Sequence, residues 1–275
     1  MLGRFPLGVM EGRLVPKYRG RYQAHPIGYW REEFDVAAEC GLELIEFILD
    51  YDGAEENPLL ADPAAILGAV NDTGVSVKSI CADYFMESPI QRVNASIDVL
   101  GRLIDSAVVI GVRDIVIPCV DQSSLGGDEA SAFAAAIQPL ANKAQDVGIN
   151  LALETDLAPK QFSELLDAIG SAAVTVNYDT GNSAALGFDC REEFAAYGER
   201  ITDIHLKDRV LGGGPIELGQ GATDFETVMC LIANSNFDGP LIMQAYRDDE
   251  GVGVFKKQKA WLEDNYGEIL KGRSS

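Results

Sequence analysis

The chain has 275 residues, of which 47% are hydrophobic and 24% charged, and its 43 acidic residues outnumber its 22 basic residues to give a net charge of −21. This composition supports a large globular core and excludes extended disorder, collagen-like repeats and a disulfide scaffold. The negative field repels phosphate backbones and anionic lipid, so we expect no nucleic-acid or membrane partner.

A recurring pattern organises the chain: an amphipathic stretch, then a glycine, then a short run of Val, Ile and Leu. It occurs around Gly41, Gly74, Gly111 and Gly148. A glycine directly after a helix commonly adopts the left-handed conformation, so each occurrence predicts a helix followed by a strand. With four further apolar runs, the predicted strands start near residues 6, 42, 75, 114, 150, 174, 201 and 240. Helical periodicity between them predicts helices over residues 30–40, 64–71, 93–110, 129–147, 161–169, 192–197, 225–233 and 254–266.

The strand starts are about 33 residues apart on average, the length of a βαβ unit. Eight such units close into a (β/α)8 TIM barrel. An open doubly wound sheet is the competing topology, but the turn after the first strand reads MEGRLVP rather than G-x-G-x-x-G. No linker divides the chain. We therefore expect a single barrel domain over residues 1–275, with loops 11–29 and 209–223 at its mouth.

Polar residues at the ends of strands five to eight are predicted to converge. Because alternate strand residues face inward, Glu154 and Asp179 point into the barrel, as does His205, and Gln244 follows strand eight. Three oxygen donors and one imidazole nitrogen suit a divalent metal, and we expect Mn²⁺, with Zn²⁺, Co²⁺ and Mg²⁺ as alternatives. Such a metal polarises a carbonyl and stabilises an ene-diolate. Taken singly, each residue could instead be a hydrogen-bonded core residue, a cap or an ion-pair partner.

The segments GVMEGRLVP, IEFILD, SICADYF, LALETDL, NYDTGN, IHLKDR and LGQGATDF follow one another across nearly the whole chain. They resemble the xylose-isomerase-like superfamily of sugar-phosphate isomerases and epimerases, in particular its L-ribulose-5-phosphate 3-epimerase and ketose 3-epimerase branch. The resemblance implies a (β/α)8 barrel with one divalent metal held by Glu, Asp, His and Glu. The first three ligands match Glu154, Asp179 and His205, whereas Gln244 stands where those epimerases have a second glutamate.

The glutamine at position 244 affects the expected proton chemistry. In the epimerases the two metal-bound glutamates serve the two faces of the substrate, and a carboxamide cannot take up a proton at neutral pH. We therefore expect Glu154 to be the base. Either Glu46, Lys207 or Asp208 supplies the second acid or base, or the reaction is a one-base aldose–ketose isomerisation.

Two further positions have both a functional and a structural interpretation. Asn182 either binds a substrate hydroxyl or forms part of a Gly-Asn turn. Glu46, at the end of strand two, matches a superfamily position that faces substrate, or it pairs with a neighbour such as Arg13 or Lys78.

Basic residues gather at the predicted mouth. Arg209 precedes a glycine-rich run and could bind an anion, with Arg13 and Arg247 in support, although a solvated loop with an internal salt bridge is the plainer interpretation. Their concentration in an acidic protein favours an anionic small-molecule substrate.

These features lead to a divalent-metal-dependent isomerase or epimerase of a ketose or sugar phosphate. A metal-dependent lyase of the inosose dehydratase type and a decayed sugar-binding barrel are the alternatives. The apurinic endonuclease type is excluded, because it needs many histidines and the chain has only two. Five single cysteines, the lack of a signal-peptide core and the lack of a run of about 20 apolar residues predict a cytoplasmic protein. The resemblance implies a homo-oligomer, either a dimer or a tetramer.

Overall fold

Eight parallel strands close into a barrel in the computed structural model, which describes residues 2–249 and 251–271. The barrel strands are β1 (Leu7–Met10), β2 (Leu44–Ile48), β3 (Ser79–Cys81), β4 (Asp114–Cys119), β5 (Asn150–Thr155), β6 (Val174–Asp179), β7 (Ile201–Leu206) and, after a small hairpin of β8 (Asp208–Arg209) and β9 (Pro215–Ile216), β10 (Leu241–Met243). Each strand pairs with the next, and β10 pairs with β1. The predicted (β/α)8 barrel is confirmed.

Helices follow the strands around the outside of the barrel. They are α1 (Trp30–Glu39), α2 (Pro58–Ala61), α3 (Pro63–Thr73), α4 (Tyr84–Glu87), α5 (Ala95–Ile110), α6 (Glu129–Val147), α7 (Pro159–Ile169), α8 (Thr180–Leu186), α9 (Cys190–Tyr197), α10 (Phe225–Asn234) and α11 (Val252–Leu270). All eight predicted helices are present, and the short helices α2, α4 and α8 are additional. Within the described residues no helix is both long and apolar enough to span a membrane.

The strands separate two apolar layers. Alternate residues such as Leu151 and Leu153 pack outward against the helices. The residues between them face inward, where the apolar members are Met10, Leu44, Ile48, Cys81, Val116, Ala152 and Ile242. The interior is narrow at Gly8, since a Cβ there would lie 2.1 Å from Cδ1 of Leu44. Strand alternation therefore places the polar strand-end residues inside the mouth, as predicted.

The loop after β7 begins with a small hairpin, in which β8 (Asp208–Arg209) pairs with β9 (Pro215–Ile216) in antiparallel fashion. The Asp208 carboxylate accepts hydrogen bonds from the backbone N–H groups of Arg209, Gly219, Gly221 and Thr223. The hairpin tip is exposed, and Leu211 keeps 70% of its accessible surface. One buried carboxylate thus ties down the base of the loop while its tip reaches solvent.

The loop after β1 is anchored by buried carboxylates. Glu33 of α1 accepts hydrogen bonds from the N–H of Gly12 at 2.6 Å and from the N–H of Leu14 at 2.8 Å. Oε1 of Glu11 lies 2.9 Å from Nδ1 of His25. Burial, reinforced by the negative charge of Glu11, raises the pKa of Glu33 to about 7. These contacts fix the start of the 11–29 loop against the barrel.

Candidate active site

Three donor side chains meet at the carboxyl ends of β5, β6 and β7. Nδ1 of His205 lies 3.7 Å from Oε2 of Glu154 and 3.9 Å from Oδ2 of Asp179. One ligand atom from each residue lies within 4.8 Å of the others, and all three side chains are buried. Two carboxylate oxygens and an imidazole nitrogen at this spacing fit a divalent cation. We call Glu154, Asp179 and His205 the three-donor site.

Gln244, the fourth predicted ligand, follows β10 and lines the same cavity as Glu154. Its Nε2 donates a hydrogen bond to Oε1 of Gln23 at 3.0 Å. Its Oε1 is buried and has no hydrogen-bond partner within the described residues. A buried carbonyl oxygen without a partner carries an energetic cost, which a bound cation would relieve. The donor set therefore fits a metal, and the role of Gln244 as a ligand remains a prediction.

Asn182 lies in the first turn of α8 rather than in a Gly-Asn turn. Oδ1 of Asp179 accepts a hydrogen bond from the backbone N–H of Asn182 at 2.7 Å and caps the helix. The Asn182 side chain donates to Oε1 of Glu154 at 2.5 Å, and Nη1 of Arg209 donates to Oδ1 of Asn182 at 2.8 Å. A hydrogen-bonded chain thus runs from Arg209 through Asn182 to Glu154.

Lys207 and Glu46 lie on different sides of the three-donor site. Nζ of Lys207 is 3.4 Å from Oδ2 of Asp179, and the side chain lines the cavity. Glu46 is fully buried, and its Oε1 lies 2.8 Å from Nε2 of His205. The structure therefore pairs Glu46 with His205, and Glu46 is absent from the residues that line the cavity at the mouth.

Burial and crowded charges shift the pKa values of the site. Burial raises the pKa of Glu154 to about 7, and the negative charge of Asp179 adds to this effect. Burial would lower the pKa of His205, but the nearby carboxylates, led by Glu46, raise it to about 10. The site attracts positive charge, and a divalent cation would compete with protons for these groups.

Two adjoining cavities open at the mouth, and both are lined in part by Gln23, Lys207, Arg209 and Gln244. The inner cavity has a volume of about 470 Å³ and reaches Glu154 and Asn182. The second, which we call the arginine cavity, has a volume of about 650 Å³ and is lined by Arg13 and Arg247.

The two guanidinium groups of the arginine cavity keep unused donors. Nη2 of Arg13 donates to Oε1 of Gln23 at 3.2 Å, and Nη1 of Arg247 donates to the carbonyl oxygen of Gly12 at 2.6 Å. The Nε atom of each arginine is buried without a partner in the part of the chain that the structure describes. Arg209, by contrast, donates from Nε to the carbonyl oxygen of Gly213 at 2.9 Å as well as to Asn182. Arg13 and Arg247 are therefore better placed than Arg209 to bind an anion.

Sequence reasoning did not single out two residues of this region. Asn177, two residues before Asp179 on the same strand face, lies 3.1 Å from Nδ1 of His205 and donates to Oε2 of Glu154 at 3.3 Å. Strand alternation could have identified it. Gln23 bridges the loop after β1 to Gln244, and no local pattern marks it.

A parallel (β/α)8 barrel with buried acidic and histidine side chains at the carboxyl ends of its strands is thus the class of protein that the fold and site define. Residues 34–265 match the xylose isomerase-like TIM barrel family, and the chain belongs to that family. The L-ribulose-5-phosphate 3-epimerase UlaE of Salmonella paratyphi C is a relative with 23% identity over 283 residues, which cover 94% of each chain.

Solved structures show the same fold. A xylose isomerase-like TIM barrel protein from Mycobacterium smegmatis in complex with magnesium has a TM-score of 0.73 at 17% identity, covering 98% of this chain and 100% of the other. The IOLI protein with a bound zinc atom has a TM-score of 0.72 at 16% identity, covering 95% of this chain and 99% of the other.

Proposed function

We propose that this protein is a divalent-metal-dependent isomerase or epimerase of a ketose or sugar phosphate. The observation that carries the proposal is the three-donor site at the base of a cavity that continues into a compartment lined by arginines. Support comes from the relative UlaE, which is named an epimerase, and from the family members that hold magnesium or zinc. We propose Mn²⁺ as the resident ion, with Zn²⁺, Co²⁺ and Mg²⁺ as alternatives.

The residues of the site divide the chemistry between them. Glu154, Asp179, His205 and Gln244 would hold the metal, which polarises a substrate carbonyl when bound. Glu154 removes the proton from the carbon beside that carbonyl, because Asn182 fixes the orientation of its carboxylate.

Lys207 is the proposed second acid or base. Its ammonium group lies beside Asp179 and on the wall of the inner cavity, so it can reach a bound sugar. Glu46 has no surface on either cavity at the mouth, and the Asp208 carboxylate is occupied by four backbone N–H groups, which leaves the second proton transfer to Lys207.

The two cavities orient the substrate. The reacting end of the sugar lies in the inner cavity above Glu154, and a phosphate at the other end lies in the arginine cavity. Arg13 and Arg247 line that cavity and supply guanidinium donors for an anion. Asn182 then contacts a substrate hydroxyl at the boundary between the inner cavity and the arginine cavity, and Arg209 holds Asn182 in place.

The test is incorporation of deuterium from D₂O into a panel of pentuloses and hexuloses, each with and without phosphate, in the presence of Mn²⁺. We expect exchange at the carbon beside the carbonyl for at least one phosphorylated ketose. Glu154→Gln should still bind Mn²⁺ but exchange nothing. Glu164→Gln, the same change at an exposed position of α7, should behave as the wild type.

The other outcomes separate the alternatives. Loss of water from a polyol substrate without epimer formation would indicate a lyase. Sugar binding without any exchange would indicate a binding protein. Exchange that persists in Glu154→Gln would mean that another residue, Lys207 first, is the base. The homo-oligomer and the cytoplasmic location remain predictions, and sedimentation velocity tests the first of these.

A further inference from the structure

His205 contacts carboxylates through both nitrogens of its ring. Nδ1 faces Glu154 and Asp179, where the metal is proposed to bind. Nε2 faces Glu46 at 2.8 Å, on the opposite side of the ring. We propose that Glu46 is a positioning residue, which holds the Nε2 proton of His205 and thereby leaves the Nδ1 lone pair for the metal. This inference rests on the proposed metal site and adds a residue that does not touch substrate.

Asn177 contacts the other ring nitrogen of His205, and this contact favours the tautomer with its proton on Nε2. The Asn177 amide nitrogen lies 3.1 Å from Nδ1 of His205 and 3.3 Å from Oε2 of Glu154. A carboxylate only accepts hydrogen bonds, so the side of the amide that faces Glu154 is the NH₂ group. That NH₂ group also faces Nδ1, which then acts as an acceptor. When a bound metal takes Nδ1 in place of the Asn177 contact and displaces the second ring proton, the remaining proton lies on Nε2, toward Glu46.

The position of Glu46 in the barrel suits positioning rather than catalysis. It is fully buried and lines neither the inner cavity nor the arginine cavity. Its backbone is fixed against β1, because it pairs with Met10 and its carbonyl oxygen accepts the N–H of Glu11 at 2.9 Å. The carboxylate is thus held beneath the metal site, out of reach of a substrate.

The Glu46 carboxylate and Nε2 of His205 make few contacts other than the one with each other. Nε2 of His205 and both Glu46 oxygens are buried without a hydrogen-bond partner among the described residues, so the 2.8 Å ion-pair contact joins Nε2 to Oε1, and Asp203 is the other charged group beside them. A carboxylate behind a metal-bound histidine fixes the ring and raises the basicity of the coordinating nitrogen. Removing such a carboxylate typically weakens metal binding by about 10–100-fold.

Asp203 is the nearest competing explanation. It is fully buried, both of its oxygens lack partners within the described chain, and it forms a second group of possible metal donors with Glu46 and His205. A metal in that group would take Nε2 instead of Nδ1. Stoichiometry and the identity of the metal-bound nitrogen therefore decide between the two arrangements.

The chain contains its own control, because its two histidines each contact a buried glutamate. His25 contacts Glu11 at 2.9 Å, away from the three-donor site. Glu46→Gln and Glu11→Gln are thus the same isosteric change at the two buried glutamate–histidine contacts, which involve Nε2 of His205 and Nδ1 of His25. Asp203→Asn tests the competing group.

The experiment uses the full-length protein with Zn²⁺ alone as the probe. Competition with a chelator gives the stoichiometry and affinity, and ¹⁵N-detected imidazole correlations give the protonation of each ring, with only two histidines to resolve. We expect one Zn²⁺ per chain, bound at Nδ1 of His205 with the proton on Nε2. Glu46→Gln should weaken Zn²⁺ binding about 10–100-fold and change the His205 signals alone. Glu11→Gln should change the His25 signals and leave the affinity unaltered.

Several results would overturn the inference. Zn²⁺ on Nε2 in the wild-type protein would contradict it without any variant. Wild-type affinity and unchanged His205 signals in Glu46→Gln would also contradict it, as would a second Zn²⁺ that Asp203→Asn removes. A wild-type protein that takes up no Zn²⁺ and no Mn²⁺ would instead contradict the proposed metal site itself.

Discussion

Gln244 is the residue that most distinguishes this site from a two-carboxylate epimerase site. Its amide contributes an oxygen without a negative charge, and its NH₂ group is committed to Gln23. A neutral ligand leaves more positive charge on a bound metal, which favours polarisation of a carbonyl, but it cannot move a proton. At the proposed metal site the glutamine would therefore exchange one base for a stronger Lewis acid.

Gln244→Glu should keep the metal and tighten its binding, because a carboxylate adds negative charge beside the cation. It should also create or raise 3-epimerase activity, since it restores a carboxylate on the opposite side of the substrate. Metal titration and chiral chromatography of the products measure the two effects. The analogy with the epimerases fails if the variant binds metal more tightly yet loses all exchange of substrate protons.

The donors of the site were predictable from sequence because strand alternation alone determines which residues face inward. Glu154, Asp179 and His205 followed from a period of two in three neighbouring strands. The contacts from Arg209 to Asn182 and from Asn182 to Glu154 join residues 27 and 28 positions apart, so only the folded chain reveals them. The same holds for Glu46, which sequence placed inward but could not pair with His205.

Arg247→Lys tests the arginine cavity. Lysine keeps the charge but loses the planar group that binds two phosphate oxygens, so binding of a phosphorylated ketose should weaken by about 1–3 kcal/mol. KM for the phosphorylated substrate should rise while kcat changes little, and KM for the unphosphorylated sugar should stay the same. Arg19→Lys, the same change at an exposed position of the loop after β1, is the control. Equal effects on both sugars would show that Arg247 does not bind the phosphate.

At the scale of elements, the short helix α8 at the barrel mouth carries Asn182, a residue of the candidate site. Helix α8 was missed because its start, Asp179-Thr-Gly-Asn182, has the composition of a turn. Asp179 belongs to the three-donor site and also caps this helix. One carboxylate therefore contributes to the site and orients the segment that carries Asn182. Local propensity could not reveal this, since the helix depends on a cap supplied by the preceding strand.

Helix α1 carries Glu33, whose carboxylate anchors the loop after β1, and the burial of that carboxylate should make stability depend on pH. The folded-state pKa of Glu33 is raised from 4.5 to about 7, so its stabilising contribution is complete below about pH 4.5 and is lost as the pH rises toward 7. The stability of the wild type relative to Glu33→Gln should therefore fall, by on the order of 3 kcal/mol, across this interval.

Urea unfolding of both proteins at several pH values between 4.5 and 7.5 measures the difference. Glu32→Gln, one residue earlier and exposed, controls for the loss of a negative charge on the same helix. Stability curves for Glu33→Gln and the wild type that run parallel over this interval would contradict the assignment.

At the scale of the whole molecule, the regular spacing of the strands predicted the barrel. The space inside the barrel limits which substitutions the protein accepts. Gly8→Ala would place a methyl group 2.1 Å from Cδ1 of Leu44 and 2.9 Å from Cδ1 of Ile242. We expect a loss of about 1–3 kcal/mol in the free energy of unfolding from overpacking. Gly267→Ala, in α11 with open space around it, should instead stabilise by about 0.5–1 kcal/mol. Chemical denaturation measures both, and a stabilising Gly8→Ala would show that the interior has room to spare.

The Asp208 anchor has a consequence for how this scaffold can change over evolutionary time. Because a single carboxylate holds four backbone amides at the base of the hairpin, the sequence of the tip around Leu211 is freed from the task of keeping the loop in place. Insertions and substitutions at the tip can then alter what passes over the mouth without disturbing the three-donor site. Variation in substrate preference among descendants of this barrel should accordingly collect at the tip, and a library randomised there is a practical starting point for redesign.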